Sequence, residues 1–168
     1  MESIKQVSLV TLTNMPKLSD QKADEHANER RMYLAKRIPQ FVANHDLFKN
    51  AKAEITFFTE GISSLVCSIE VCGKKTVLKI PLSTTHAVGE PQFLQEWEKA
   101  GVHVPHVIET GSIDEHQYML MEHIDTPTLN KVYSKKELLE RGIYFNMGKT
   151  LKMMHEPVGK GYGRVIDG

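Results

Sequence analysis

This sequence contains few cysteines, no long apolar run and no excess of either charge sign. Its 168 residues include only two cysteines, too few for the disulfide framework of a small secreted protein. No apolar run approaches the ~18 residues that a membrane-spanning helix needs. The 21 basic and 21 acidic residues give a formal net charge of zero, so no basic field favours nucleic acid or an anionic membrane. We therefore expect no nucleic-acid partner and no membrane partner.

The N-terminus also lacks the features of an export signal. No basic segment followed by an apolar core is found in MESIKQVSLVTLTNMPKL, so a secretory leader is not predicted. Together with the low cysteine content, this favours a reducing, cytoplasmic location. A hydrophobic content of 40% and a charged content of 25% are typical of a globular protein.

Residues 1–50 are predicted to form an N-terminal helical extension. The first eighteen residues show little sign of order. A helix is expected to begin near Ser19 or Asp20 and to run to about Arg37, because this segment is rich in helix-forming residues. Pro39 is expected to end this helix or to start a second short one, since proline interrupts a helix interior.

Residues 51–125 have the pattern of an α+β domain. Alternating apolar residues and turn signals predict five strands and one helix, in the order three strands, helix, two strands. The predicted strands are Glu54–Thr59, Leu65–Val71, Lys75–Ile80, Val107–Thr110 and Gln117–Glu122, and the helix is Glu90–Ala100. Cys72 and Gly73 mark a tight turn between the second and third strands. We expect a five-stranded antiparallel sheet with this helix packed against it.

Residues 126–168 are predicted to contain one long amphipathic helix. Ser134 and Glu137 have the spacing of a capping box, which starts a helix. The helix is expected to run to His155. Its apolar side carries residues spaced three or four apart, namely Leu139, Ile143, Met147, Leu151 and Met154.

Two short motifs are better explained as ordinary structural features than as functional sites. Gly148-Lys149-Thr150 matches the end of a phosphate-binding loop, but it falls inside the predicted helix and no glycine stands at position 143. His103 and His106 are three apart on an extended segment and face opposite sides, so they do not chelate one ion. We therefore name no metal ligands.

A third set of residues fits a clamp for a nucleotide phosphate chain. The loop between the first two strands contains Gly61, Ser63 and Ser64, small residues that let backbone N–H groups approach phosphates. Lys79 on the third strand supplies a compact cation. Glu90 begins the next helix and is expected to orient Lys79 by an ion pair.

Val77 lies two residues before Lys79 and is therefore expected on the same strand face, where it would line an adenine pocket. Each feature alone has an ordinary structural explanation. Lys79 could be an ordinary surface lysine, and Glu90 an acidic residue stabilised in the first turn of a helix. Gly61 could simply belong to a hairpin turn. The ordered combination favours the clamp.

The segments in this order resemble the aminoglycoside phosphotransferase family, which has a protein-kinase-like fold. The resemblance covers about Ile55 to Gly163. It is carried by TEGISSLVCSIE, TVLKIP, EPQFLQEWEKAGVHVP, YMLMEHID and LKMMHEPVGKGYG. It implies a nucleotide-binding N-terminal lobe over residues 51–125, followed by a hinge and the first helix of a C-terminal lobe.

The resemblance also implies roles for particular residues. Lys79 would contact the α- and β-phosphates of ATP or GTP, and Glu90 would hold it. The backbone of Glu122 and of Ile124 would hydrogen-bond the adenine at the hinge. The phosphates would be covered by Gly61, Ser63 and Ser64. The intact enzyme would use Mg²⁺ and phosphorylate a hydroxyl group of a small molecule.

The sequence departs from the family in one respect that bears on catalysis. The family's His-Gly-Asp catalytic loop has no counterpart here, and the acid in VIDG lacks its neighbours. We therefore name no catalytic residue and expect no turnover from this polypeptide alone. The helix over 135–155 would lack the lobe that normally covers it, so self-association is expected. The alternative hypothesis is a non-enzymatic protein-interaction module.

Overall fold

The computed structural model describes residues 9–19, 25–59, 63–83 and 89–156, and its helices and single sheet confirm the α+β class. The strands are β1 (Val10–Leu12), β2 (Ala53–Phe57), β3 (Ser64–Val71), β4 (Lys74–Pro81), β5 (Val107–Ile113) and β6 (His116–Glu122). The helices are α1 (Glu25–Asn44), α2 (Glu90–Lys99), α3 (Leu129–Val132), α4 (Lys135–Glu140) and α5 (Ile143–His155).

The chain divides into two compact units. The sheet unit contains all six strands and α1, from the described residues within 1–88 and 107–123. The helical unit contains α2 to α5, from those within 89–106 and 124–168. Helix α1 thus falls in the same unit as the sheet, and α2 falls in the same unit as the C-terminal helices. The predicted domain boundaries and the packing of α2 against the sheet stay predictions.

The sheet has six strands rather than five, in the order β1-β2-β3-β4-β6-β5. The five predicted strands pair antiparallel, but β1 adds to β2 in parallel. The direction follows from the connection, because a helical crossover returns the chain to run parallel to its previous strand. The side chain of Asn14 extends this pairing, donating to the Phe57 carbonyl at 2.9 Å and accepting from its N–H at 2.6 Å.

Helix α1 continues through Pro39, so the predicted interruption there was wrong. A proline removes one helical hydrogen bond. The apolar stripe of α1 lies on both sides of this position and is fully buried at Leu34, Ile38 and Val42. Packing of a continuous stripe on the sheet outweighs the loss of a single bond. Of the two residues predicted to start the helix, Asp20 falls outside the described residues, whereas Ser19 is not helical and its N–H donates to the Asn28 Oδ1 at 3.0 Å.

One face of the sheet packs against α1 to form the core. Alternate residues of the central strands contribute, as the twofold periodicity of a strand requires. The buried cluster comprises Leu34, Ala35, Ile38, Val42, Phe48, Ala53, Ile55, Phe57, Leu65, Cys67, Ile69, Leu78, Ile80, Leu82, Ile113, Tyr118 and Leu120. Burial inside this cluster raises the pKa of the Cys67 thiol to about 12, so it remains protonated.

The predicted turn between β3 and β4 is confirmed. Val71 pairs directly with Lys74, which leaves a two-residue loop. Both loop residues have positive φ, 51° at Cys72 and 77° at Gly73. This is the conformation that matches the twist of a two-residue hairpin.

A polar cluster joins the end of α1 to β5 and β6. The carboxylate of Glu109 accepts a hydrogen bond from the Tyr118 hydroxyl, and the His45 Nε2 lies 3.0 Å from the same oxygen. The ring of Phe41 packs 4.9 Å from the rings of both His45 and Tyr118. The bond from Tyr118 and then that from His45 lower the pKa of the Glu109 carboxyl group. Burial and the bond to Glu109 raise the pKa of Tyr118.

The helical unit contains a break that was not predicted. The capping box is confirmed, since the Ser134 side chain accepts from the Glu137 N–H and the Glu137 carboxylate accepts from the Ser134 N–H. The helix it starts ends at Glu140, however, and Gly142 adopts a left-handed φ of 63° before α5 begins. Glycine tolerates this conformation. None of the helices among the described residues combines the length and apolarity needed to cross a bilayer.

Acid should destabilise the sheet unit through Glu109. A carboxyl group whose folded-state pKa is depressed contributes stability above its ordinary value, 4.5, and loses it as pH falls through the folded-state value. We expect Glu109→Gln to lower the thermal midpoint at neutral pH and to flatten its fall below pH 4.5. Thermal melts across pH would measure this. Glu96→Gln, which removes an exposed glutamate of α2, is the control. If the thermal midpoint of Glu109→Gln falls below pH 4.5 as steeply as that of the parent protein, the role of Glu109 is contradicted.

Gly111 should not tolerate a side chain. It pairs with Tyr118 across the sheet, and a Cβ atom there would lie 2.7–2.8 Å from the ring and hydroxyl of Tyr118. We expect Gly111→Ala to destabilise the protein by about 1–3 kcal/mol, the usual cost of overpacking. Denaturant unfolding would measure it. In the matched variant Gly148→Ala, the Cβ meets nothing within 4 Å on a helix, so stability should hold or rise.

Candidate functional site

The candidate site lies on the face of the sheet that points away from α1. Leu78 and Ile80 of β4 belong to the core cluster. Val77 and Lys79 alternate with them and therefore share the opposite face. The predicted relation between Val77 and Lys79 is thus present in the structure.

The neighbours of Lys79 on this face are largely apolar. Lys79 pairs with Val66 of β3 and with Met119 of β6. Val77 and Met119 are only 6% and 4% exposed, although they lie outside the core cluster. A half-buried lysine thus stands on an apolar strip. Lys79 thus lies beside apolar side chains, two of which are almost fully covered by the chain.

A second lysine of β4, Lys75, forms an ion pair with a residue of β3. Lys75 lies on the same face, and its Nζ is 3.6 Å from a Glu70 carboxylate oxygen on β3. The two side chains are partly exposed, so this pair is of the surface type that contributes little stability. Lys79 lies further along the same face of β4 and pairs with Val66 across the strands.

The loop residues of the predicted clamp are described in part. Ser64 is the first residue of β3 and pairs with Pro81 on the same face as Lys79. The Ser63 carbonyl accepts a hydrogen bond from the Leu82 N–H at 3.0 Å, which fixes the end of the loop to β4. Gly61 lies outside the described residues.

The other predicted residues are placed at element ends. Glu122 is the last residue of β6 and pairs with Thr76, so its side chain belongs to the opposite face from Lys79. Glu90 is the first residue of α2, and Ile124 follows β6 with 52% of its surface exposed. Both belong to the helical unit, whereas Lys79 belongs to the sheet unit. The Lys79–Glu90 ion pair and the adenine contacts stay predictions.

The structure explains the phosphate-loop match as a helical segment. Gly148-Lys149-Thr150 lies within α5, where the Thr150 hydroxyl donates to the Asn146 carbonyl at 3.1 Å. The Lys149 Nζ lies 4.6 Å from the centre of the Phe145 ring. The N–H groups of a helix interior bond to carbonyls of the preceding turn, so they do not converge on a phosphate.

One of the two histidines considered as metal ligands contacts a carboxylate. His106 Nδ1 lies 2.9 Å from a Glu98 carboxylate oxygen, joining the segment before β5 to α2. Among the described residues, no group of three or more histidine, cysteine or acidic side chains is arranged to hold a metal ion.

Sequence reasoning missed the neighbours that give the Lys79 face its character. Met119 and Met121 of β6 lie on this face beside β4, in the unbroken apolar run Tyr118–Met121. An unbroken run of this kind indicates a strand that is buried on both faces. That signal was present in the sequence and could have identified the apolar strip.

Comparison with solved structures gives a distant likeness only. No family model matches the chain, and no curated protein matches it. One similar solved structure is the apo form of a thermostable mutant of aminoglycoside phosphotransferase APH(4)-Ia. The identity is 18% and the TM-score is 0.47, over 61% of this chain and 34% of that one. The chain thus spans about a third of the length of that protein.

Proposed function

We propose that this chain is the nucleotide-binding portion of an ATP-dependent small-molecule kinase similar to aminoglycoside phosphotransferases. Such an enzyme transfers the γ-phosphoryl group to a substrate hydroxyl. The observation that carries the proposal is the position of Lys79, half-buried on an apolar strip of the sheet face away from α1. A cytoplasmic location, where ATP is supplied, is part of the proposal.

The strip has two properties that a nucleotide requires. Val77 and Met119 supply apolar side chains on the same face as Lys79, of the kind that line small-molecule sites. Lys79 adds a cation that would neutralise phosphate oxygens on the same face. Ser64 at the start of β3 is on that face as well, at the end of the loop that would cover the phosphates.

The remaining predicted contacts complete the proposal. Glu90 would orient Lys79, and the backbone of Glu122 and Ile124 would bind the adenine edge. Phosphoryl transfer further requires carboxylates that hold Mg²⁺ and an acid that takes the hydroxyl proton. The described residues do not present such a metal-binding group. No catalytic step is therefore assigned to them.

An interaction module is the second candidate, and one observation favours it. The helical unit exposes large apolar side chains, among them Leu139 at 70%, Phe145 at 68% and Leu151 at 53%. Neither α2 nor α5 contains a buried residue. Extended apolar surface of this kind usually marks a contact with another protein. We propose self-association through this surface, as expected for the helix over 135–155.

Nucleotide binding should depend on Lys79. We expect Mg-ATP at millimolar concentration to raise the thermal midpoint, because a ligand that binds only the folded state stabilises it. In Lys79→Ala the rise should disappear, whereas ATP hydrolysis and acceptor phosphorylation should be absent even without a substitution. Thermal-shift measurements and an ATP-consumption assay would test both expectations.

Two lysines provide the controls for this experiment. Lys75→Ala removes a cation from the same strand face, and Lys149→Ala tests the segment that matches a phosphate loop. Both variants should keep the full response to Mg-ATP. A response lost in Lys149→Ala but kept in Lys79→Ala would overturn the assignment, and sustained turnover would contradict the assignment of a binding portion only.

Self-association should depend on the apolar side of α5. Leu151→Lys places a charge on this exposed side and should weaken dimer formation by roughly tenfold or more, because apolar burial is lost in both copies. Sedimentation velocity over a concentration series would measure it. Asn146→Lys adds the same charge at an exposed position about 140° around the helix from Leu151, and is the control. A protein that stays monomeric at high concentration would exclude the contact.

A further inference from the structure

Two side chains from residues 1–50 bond to the backbone near the two ends of the connection between β2 and β3. Asn14 follows β1, and Arg30 lies on α1. The connection leads from Phe57, the last residue of β2, to Ser64, the first residue of β3. Neither Asn14 nor Arg30 was part of the predicted phosphate clamp, although both belong to the sheet unit that carries it.

Asn14 continues the pairing of β1 with β2 beyond the end of β1. Backbone pairing ends with the bond from the Thr13 N–H to the Ile55 carbonyl, at 2.9 Å. The Asn14 side chain then bonds to both backbone groups of Phe57, at 2.6 Å to the N–H and 2.9 Å to the carbonyl. Phe57 is only 1% exposed, so the loss of these bonds would leave two buried backbone groups without them. An apolar side chain at position 14 could not replace them.

The end of β2 that Asn14 holds lies close to Lys79 in the sheet. The Phe58 N–H donates to the Val66 carbonyl of β3 at 2.9 Å. Val66 in turn pairs with Lys79 of β4. Holding Phe57 therefore also holds the start of the connection next to the strand pair that carries the lysine.

Arg30 holds the other end of the connection through Leu82. The Leu82 N–H donates to the Ser63 carbonyl at 3.0 Å, and the Leu82 carbonyl accepts from the Arg30 Nη1 at 3.0 Å. Leu82 is 4% exposed and belongs to the core cluster. Because a hydrogen bond from a charged donor is stronger than a neutral one, Arg30 restrains the backbone that meets Ser63.

We propose that Asn14 and Arg30 are positioning residues for the phosphate side of the nucleotide site. They would hold the two ends of the connection so that Ser63 and Ser64 stay beside the strand that carries Lys79. This inference rests on the proposed function, because the nucleotide proposal is what assigns phosphate contacts to these serines. Neither positioning residue would touch the nucleotide, but both would contribute to its affinity.

Asn14→Ala tests the first of the two contacts. We expect the affinity for Mg-ATP to fall roughly fivefold, the effect of about one hydrogen bond, while the affinity for adenosine, which has no phosphate, stays unchanged. Calorimetry on the full chain would measure both affinities. Thr13→Val is the matched control, because it removes the 2.8 Å bond from the Thr13 hydroxyl to the Glu54 carboxylate and leaves Phe57 untouched. This control should bind Mg-ATP normally.

Arg30→Met tests the second contact at a position that is exposed on α1, so the core stays intact. The substitution should weaken Mg-ATP binding to a similar extent. Arg30→Lys keeps a charged donor for the Leu82 carbonyl and should restore most of the affinity. Lys36→Met removes another exposed cation from α1 and should bind Mg-ATP as the parent protein does.

The outcomes separate this inference from the nucleotide proposal. A parent protein that does not bind Mg-ATP would overturn both. If the parent binds Mg-ATP and both Asn14→Ala and Arg30→Met bind it equally well, only the positioning inference is overturned. An equal fall in the affinities for adenosine and Mg-ATP would also overturn it, since the two residues would then serve the whole fold rather than the phosphate side.

Discussion

The packing of α1 on one face of the sheet is the interaction on which the rest of the sheet unit depends. The stripe containing Leu34, Ile38 and Val42 is completely buried there. Strand residues alternate between the two faces of the sheet. The side chains that pack on α1 therefore determine which side chains lie on the opposite face. Lys79 and Val77 lie on that other face because Leu78 and Ile80 are in the core.

The same packing explains where local sequence rules failed. Proline in a helix interior and a short segment near Asn14 and Pro16 both argue against regular structure when they are considered alone. In the folded chain, α1 passes through Pro39 because its stripe is buried on both sides. Strand β1 forms because the exposed edge of β2 offers it a hydrogen-bonding partner. Both outcomes are set by tertiary contacts, which no local pattern contains.

Local signals succeeded where the local chain determines the structure. The positive φ of Cys72 and Gly73 and the reciprocal bonds of Ser134 and Glu137 involve neighbouring residues only. The strands of the antiparallel sheet were likewise visible as alternation. The break at Gly142 carried a signal too, since a glycine follows Glu140 and Arg141, but the apolar spacing across it favoured one continuous helix.

The sequence predicted individual residues of the candidate site but not which residues of other strands lie beside them. Spacing alone places Val77 beside Lys79. The cross-strand neighbours Val66 and Met119 depend on register, which long-range pairing determines.

Strand β6 contributes side chains to both faces of the sheet. Its residues alternate between the strip that carries Met119 and the face that carries His116 and Tyr118. Side chains on one face therefore have few contacts in common with those on the other, and the two sets share the backbone of a strand held by hydrogen bonds on both sides. Sites without common side-chain contacts contribute to stability independently. The nucleotide proposed for the Lys79 face would therefore leave the packing of α1 on the opposite face unchanged.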